Sequence, residues 1–335
     1  MNKDIYLTGI TTTGTPHLGN YVGAIRPAIE ASRHPDAEYF FFLADYHALI
    51  KCQDPKRLNT ASREVAATWL ALGLDTDAAF FYRQSDIPEI MELTWILNCV
   101  AAKGLLNRAH AYKAAVTENQ EQKAKDPDKG VSMGLFSYPV LMAADILMFK
   151  ANKIPVGKDQ IQHIEMARDI AGRFNHLFGT HFVLPEAVID PSTAVLSGLD
   201  GRKMSKSYNN TIPLFVPEKK LRKLIMKIKT NSLEPGEPKE TEGCTLFEIY
   251  RAFASEKEVE AMRQRYADGI GWGEMKNHLF EYLNAHLSAP RRRFEDLMQN
   301  PDAIEAVLQK GAAKARERSR VVLDELRQAI GITAI

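Results

Sequence analysis

The sequence predicts an α/β protein: a doubly wound parallel sheet that carries a helical insertion and is followed by a smaller all-helical domain. Three observations predict it. Residues 1 to about 197 alternate short apolar runs with amphipathic helical patterns, the order of a parallel sheet covered on both faces. From Pro88 to about Phe136 that alternation gives way to helical patterning alone. Beyond Ser207 helical patterns continue to the end of the chain, with no strand signal among them.

Ile5 to Leu7, Tyr39 to Leu43, Phe80 to Tyr82 and Lys153 to Val156 are the candidate strands, short runs dominated by β-branched and aromatic residues. Asp54 reads as a helix N-cap with Pro55 at the first helical position, and Leu58, Ala61, Val65, Trp69 and Leu72 then recur on one face. A second amphipathic helix is expected from Asp159, with Ile161, Ile164, Ala167, Ala171, Phe174 and Phe178 at the same spacing. In the insertion, Leu93, Ile96, Leu97 and Val100 suit either a subunit interface or the core of the monomer. The polar tract from Thr117 to Gly130 reads as a mobile surface loop. Further on, Glu218 to Lys229 is a basic amphipathic helix, and a linker rich in Pro, Gly and Glu runs from Glu234 to Gly243. The last helical pattern, Ala303 to Ile330, either extends the helical bundle or packs back on the sheet. A doubly wound order of this kind places its ligand at the C-terminal ends of the strands.

At 335 residues the chain has room for one large and one smaller domain. A net charge of +1 supplies no global attraction for nucleic acid, so RNA contacts must come from local basic patches. Cys52, Cys99 and Cys244 have no CxxC spacing and read as free thiols, so neither a structural metal nor a disulfide framework is expected. No stretch reaches the roughly 18 apolar residues of a membrane span, and the first residues contain no long apolar core. A cytoplasmic protein without a membrane partner is the expectation.

The stretch around which the chemistry gathers is Gly201-Arg202-Lys203-Met204-Ser205-Lys206-Ser207-Tyr208. Two lysines three apart, with hydroxyls beside them and glycines at 198 and 201, make a flexible cationic loop suited to a polyphosphate. On charge pattern alone the same stretch also reads as a solvated turn. A second stretch, Thr8 to Tyr21, leads from a strand through a glycine-containing loop into a helix, which brings backbone N–H groups to a bound phosphate. Lys203 to Ser207 matches the KMSKS signature of class I aminoacyl-tRNA synthetases letter for letter. His17-Leu18-Gly19-Asn20 resembles their HIGH signature, with Asn20 in place of the final histidine, and the two lie in the family's order about 185 residues apart.

Asp45-Tyr46-His47-Ala48, Tyr138 to Leu147 and Ile154 to His163 narrow the resemblance. With the loop they are similar to the bacterial tryptophanyl-tRNA synthetases, over most of the chain and most densely from 138 to 178. The resemblance implies a Rossmann-type, HUP-like nucleotide-binding fold and three substrates: L-tryptophan, ATP with Mg²⁺, and tRNA(Trp). It divides the chain into a catalytic domain (1–197) with a connective insertion (88–136), the signature loop (198–210), a helical anticodon-binding domain (211–300) and a C-terminal helix (301–335). A homodimer formed through the insertion is implied as well. ATP would be bound by Thr11, Thr12, Thr13, His17, Gly19, Asn20, Lys113, Gly157, Lys158, Asp159, Lys203, Met204, Ser205, Lys206 and Ser207. Among these, His17, Lys203, Ser205 and Lys206 would carry catalysis. The proposed chemistry is attack of the tryptophan carboxylate on the α-phosphorus, with pyrophosphate leaving. The anionic carboxylate needs no base, so positioning and neutralisation of the leaving group are the protein's task. The loop must bind pyrophosphate and then release it, which predicts open and closed states.

Indole has one polar handle, an N–H that can only donate. Its pocket therefore needs apolar walls and a single buried acceptor. Asp145, inside the apolar run Leu141 to Phe149, suits that acceptor; its other reading is a helix carboxylate paired with a local Lys or Arg. Leu7, Met142, Ile154 and Val156 would form walls beside Gly9. Tyr138, Gln160 and His47 would hold the ammonium and carboxylate, though His47 equally reads as a satisfied core histidine. The sister tyrosyl family typically has tyrosine two residues before the first-strand glycine, where this chain has Leu7. A tyrosine-specific synthetase and a synthetase-derived binding module without aminoacylation are the alternatives. Thr11, Leu7, Lys158 and the pair Ala114-Ala115 depart from the usual family pattern.

Overall fold

The computed structural model describes residues 3–189 and 195–333. Five parallel strands form one sheet in the order β3-β2-β1-β4-β5. Central β1 (Asp4–Thr11) pairs with β2 (Ala37–Ala44) along its whole length and meets β4 (Lys153–Pro155) at Tyr6. Outside them lie β3 (Phe80–Arg83) beside β2 and β5 (Glu186–Val188) beside β4. The strand order reverses between β1 and β4, and that crevice is where such sheets take their ligands. All four expected strands are present; β5 was not expected. It has three residues directly after Pro185 at the sheet edge, too few to show any alternation.

After β1 the chain enters α1 (Leu18–Asn20), a π turn (Tyr21–Ile25) and α2 (Arg26–Ala31). Beyond β2 come α3 (Asp45–Ala48) and α4 (Pro55–Ala71), where the Asp54 carboxylate accepts from the N–H groups of Lys56 and Arg57 and Ala61, Val65 and Trp69 are buried. Between β3 and β4 lie α5 (Pro88–Val100), α6 (Lys103–Leu106), α7 (His110–Glu121) and α8 (Met133–Met148). Next, α9 (Ile161–Phe178) follows β4, burying Ile164, Ala167, Ala171 and Phe174. It starts at Ile161 rather than Asp159, because Lys158 to Gln160 form a 3₁₀ turn closed by Gln160 N–H to Gly157 O at 2.9 Å.

In the insertion one open choice is resolved and one expectation is corrected. Leu93, Ile96, Leu97 and Val100 are buried within this chain's own core, while Met91, Trp95 and Cys99 of the same helix are exposed, Trp95 at 71%. The polar tract is not all loop: Thr117 to Glu121 close α7. The rest is tied down, with Asn119 Nδ2 donating to Pro127 O and Lys129 O at 2.8 Å and Tyr112 OH donating to Asp128 at 2.7 Å. Glu and Gln are adequate helix formers, so polarity alone did not mark a break.

The helical region comprises α10 (Glu218–Met226), α11 (Thr245–Phe253), α12 (Glu256–Ala267), α13 (Trp272–Gln299) and α14 (Pro301–Ala329). Its core includes Leu18 and Val22, so the helix after β1 belongs to two packing units. The last helix, α14, packs back on the sheet, lying across β3. Gly311 makes this possible, since a Cβ there would stand 1.8 Å from Phe81 O. Ile304, Leu308, Ala312, Ala315, Leu323 and Leu326 are buried along it, and Arg83–Glu305, Arg316–Glu89 and Arg327–Glu92 ion pairs flank the seam.

Candidate functional site

The loop after β1 is joined by backbone to residues 212–214, shortly after Lys203 to Ser207. His17 and Pro213 form an antiparallel bridge, Leu18 N–H donates to Ile212 O at 3.0 Å, and Leu214 N–H donates to Pro16 O at 2.9 Å. Met204 is buried in one core with Leu18. Gly19 sits between these segments: a Cβ there would be 3.1 Å from the His17 ring and 3.6 Å from Met204 Cβ. Gly14, at φ +135°, lies under Lys206, whose Nζ would be 3.4 Å from an added Cβ. Glycine is favoured there by the backbone conformation.

His17 and Asn20 cap the start of α1 reciprocally. Asn20 N–H donates to His17 Nδ1 at 3.3 Å, and His17 N–H donates to Asn20 Oδ1 at 3.1 Å. With Nδ1 accepting, the neutral ring carries its proton on Nε2. Burial, and secondarily the Lys206 ammonium, lower the His17 pKa from 6.5 to about 4, so the ring is a neutral donor at pH 7. Asn20 thus serves as a cap, which explains why this position can dispense with an imidazole. Desolvation lowers the Lys206 pKa as well, against the pull of Glu64, which accepts from Thr15 Oγ1 at 2.7 Å.

Thr12 is fully buried with no partner for its hydroxyl among the described residues, while Thr11 is exposed and Thr13 half-buried. In the loop, Lys203 bridges Ser197 through its backbone and leaves its side chain exposed. Ser205 Oγ accepts from Ser207 N–H at 3.3 Å and lies 2.8 Å from Ser207 Oγ. Lys206 of the same segment is placed against the β1 loop, beside Gly14 and His17.

The second cluster lies deeper. Asp145 is 1% exposed, and its Oδ2 is 2.9 Å from His47 Nε2. Gln84 Nε2 donates to both carboxylate oxygens at 2.8 and 2.9 Å. Neither partner is a Lys or Arg. Burial raises the Asp145 pKa, and the bonds to His47 and Gln84 work against that rise. Leu7 and Ile154 are buried in the main apolar core, with Met142 and Val156 half-buried against it. Gly9 is covered by the Phe42 ring, which an added Cβ would meet at 2.8 Å. Tyr138 OH lies 2.6 Å from His163 Nε2. His47 is thus a histidine satisfied through Nε2 by the Asp145 carboxylate. Gln84 Oε1, Tyr82 OH and His163 Nδ1 are buried without partners among the described residues.

Gln84 and His163 escaped the sequence reading. Gln84 directly follows β3, so its place at a C-terminal strand end was the available signal. Gly157, Lys158 and Asp159 stand exposed at the end of β4, where Gln160 Nε2 donates to Asp159 at 3.0 Å. Lys113 is exposed on α7. Neither Lys113 nor Lys158 has a side-chain bond to either cluster among the described residues. The arrangement thus offers a buried carboxylate acceptor on a helix of the apolar core, and a separate cationic loop near a neutral imidazole. A donor-only heterocycle suits the first and a polyphosphate the second.

A family profile described as class I tRNA synthetases (W and Y) matches residues 2–288. A tryptophan–tRNA ligase of Pseudomonas aeruginosa is 62% identical over 332 residues, covering 98% of this chain and 74% of that one. One from Neisseria meningitidis serogroup A is 59% identical and covers 99% of both chains. The solved tryptophanyl-tRNA synthetase of Campylobacter jejuni, complexed with ADP and tryptophan, superposes with a TM-score of 0.88 at 42% identity, covering 98% of this chain and 99% of that one. A tyrosyl-tRNA synthetase of Aeropyrum pernix, at 19% identity and a TM-score of 0.65, shares the fold.

Proposed function

The chain belongs to the class I tRNA synthetases of the tryptophan and tyrosine group, and we propose that the Asp145 cluster is its tryptophan pocket and the Lys203 to Ser207 loop its pyrophosphate grip. It activates tryptophan with ATP and transfers the product to tRNA. The observation that supports the assignment of residues is the backbone junction of the first signature segment with the strand-like stretch just after the second, His17 to Pro213 and Leu18 to Ile212, together with the buried Asp145 carboxylate bonded by Gln84 and His47.

In the pocket, the indole N–H donates to Asp145, held by Gln84 and His47, while Tyr138, Gln160 and His47 face the amino and carboxyl groups. A buried acceptor that needs a donor rejects rings lacking one, because the carboxylate would be left unpaired. In the loop, Lys203, Lys206 and Ser205 take up charge on the leaving pyrophosphate, with Mg²⁺ arriving as part of the ATP substrate. His17 donates through Nε2 to the phosphates, and Thr12, Gly19 and Asn20 line the nucleotide. Thr11, Thr13, Met204, Ser207, Gly157, Lys158, Asp159 and Lys113 complete the nucleotide's surroundings. Residues 211–300 serve the tRNA anticodon, and the outward Trp95 and Met91 of α5 support a homodimer seam. The setting is cytoplasmic; among the described residues no helix is long and apolar enough to cross a membrane.

ATP–pyrophosphate exchange measured with each amino acid in turn tests this reading. Exchange that depends on tryptophan alone is expected. Exchange supported by tyrosine would overturn the pocket assignment.

A further inference from the structure

Asn210 is 2% exposed, although Ser207, Tyr208 and Asn209 before it are all exposed. Its side-chain amide is wired into the signature loop on both sides. Oδ1 accepts from Ser205 N–H at 2.8 Å. Nδ2 donates to Asp200 Oδ1 at 2.7 Å, to Lys203 O at 3.1 Å and to Arg202 O at 3.3 Å. Its own carbonyl accepts from Leu199 N–H at 2.9 Å. Two features of the chain make room for this. Asn209 adopts the left-handed conformation at φ +49°, turning the backbone back under the loop. Gly198 leaves the space the amide fills, since a Cβ there would lie 2.4 Å from the Asn210 side chain.

We propose that Asn210 is a positioning residue for adenylate formation: it binds residues 198–205 into one body, so that Lys203 and Ser205 reach the pyrophosphate in a fixed mutual geometry. The inference rests on the pyrophosphate role given above to the loop. A loop that must open and close does so without losing its shape only if its bonds are internal, and this amide supplies them from within the loop. Asp200 reports the same wiring, its carboxyl held down to about 2 chiefly by the Asn210 amide and then by Arg202.

Asn210→Asp removes the donor and sets a carboxylate against Asp200 and two carbonyl oxygens. The single-turnover rate of adenylate formation is expected to fall about 10²-fold, as for a displaced catalytic group. Tryptophan affinity and transfer from preformed tryptophanyl-adenylate to tRNA should stay within about twofold. Adding Asp200→Asn restores a donor facing the new carboxylate and is expected to recover roughly tenfold of that rate, which general damage to the fold would not allow. Gly198→Ala, which crowds the amide without changing any charge, should give the same split and serves if Asn210→Asp fails to fold. Lys203→Ala is the reference. If it is impaired while Asn210→Asp and Gly198→Ala form adenylate normally, the positioning role is overturned. Equal losses in tryptophan binding and transfer would overturn it too, by showing only structural damage. If Lys203→Ala itself is normal, the failure belongs to the pyrophosphate reading of the loop.

Discussion

The two halves of the proposed site solve opposite problems. Around Asp145 the acceptor is already held, Gln84 and His47 both bonding the carboxylate within the apolar core, while Gln84 Oε1 and Tyr82 OH keep no partner among the described residues. In the signature loop the backbone is satisfied and the cations are left over: among the described residues, neither Lys203 nor Lys206 forms an ion pair. A pocket that must discriminate needs its acceptor fixed before the ligand arrives, whereas a group that must grip and release a polyanion needs unspent charge on a part that moves. Preorganisation is therefore spent on the side chains in one place and on the backbone in the other.

The largest expected effect separates the two directly. Lys203→Ala should lower tryptophan-dependent ATP–pyrophosphate exchange by about 10²- to 10³-fold, the scale of losing one group that meets transition-state charge, with tryptophan affinity nearly unchanged. Normal exchange would remove Lys203 from the chemistry. Asp145→Ala should do the reverse, leaving the Gln84 amide and His47 without their acceptor and the indole N–H unbonded. A loss of one charged hydrogen bond, ~1.5–3 kcal/mol, weakens tryptophan binding roughly 10- to 100-fold while the KM for ATP holds. Equal affinity in that variant would break the assignment of the pocket.

The comparison also explains what the sequence revealed. Lys203 to Ser207 and His17 to Asn20 were readable because phosphate chemistry admits few residue types, and His17 to Asn20 follow the C-terminal end of the central strand. Asp145 was readable as the one charge inside an apolar run. Its partner Gln84 was not, since it comes from a different strand end 61 positions away, and nothing in local periodicity links the two. Asn210 was hidden for a different reason: an Asn beside an Asn in a loop looks like solvent-facing turn chemistry until the left-handed Asn209 turns it inward. The short β5 and the helical end of the polar tract were missed because three edge residues and a run of Glu and Gln carry no distinctive pattern.

Gln84→Leu sharpens the pocket side of the contrast. The substitution keeps the bulk but leaves the buried carboxylate with His47 as its remaining protein donor. We expect a loss of ~1–3 kcal/mol in stability, read by chemical denaturation, and tryptophan binding about tenfold weaker. Unchanged values would mean that Asp145 does not depend on preset donors, and the difference between the two regions would shrink.

The smallest effect is one of pH, and there the regions oppose each other. His17 has its pKa depressed from 6.5 to about 4 in the fold, so as pH falls below 6.5 the unfolded chain takes up the proton first and stability is lost between about pH 6.5 and 4. Asp145 has its pKa raised above the usual 3.8, so as pH rises past that value the unfolded chain releases its proton first and stability is lost in the rising direction. Across the acid range the two slopes partly cancel. His17→Asn should therefore shrink the drop in melting temperature between pH 7 and pH 4.5, and Asp145→Asn should enlarge it. Shifts of the same sign in both variants would show that burial does not act on the two groups in opposite ways, because a neutral imidazole and an anionic carboxylate respond to desolvation with opposite proton affinities.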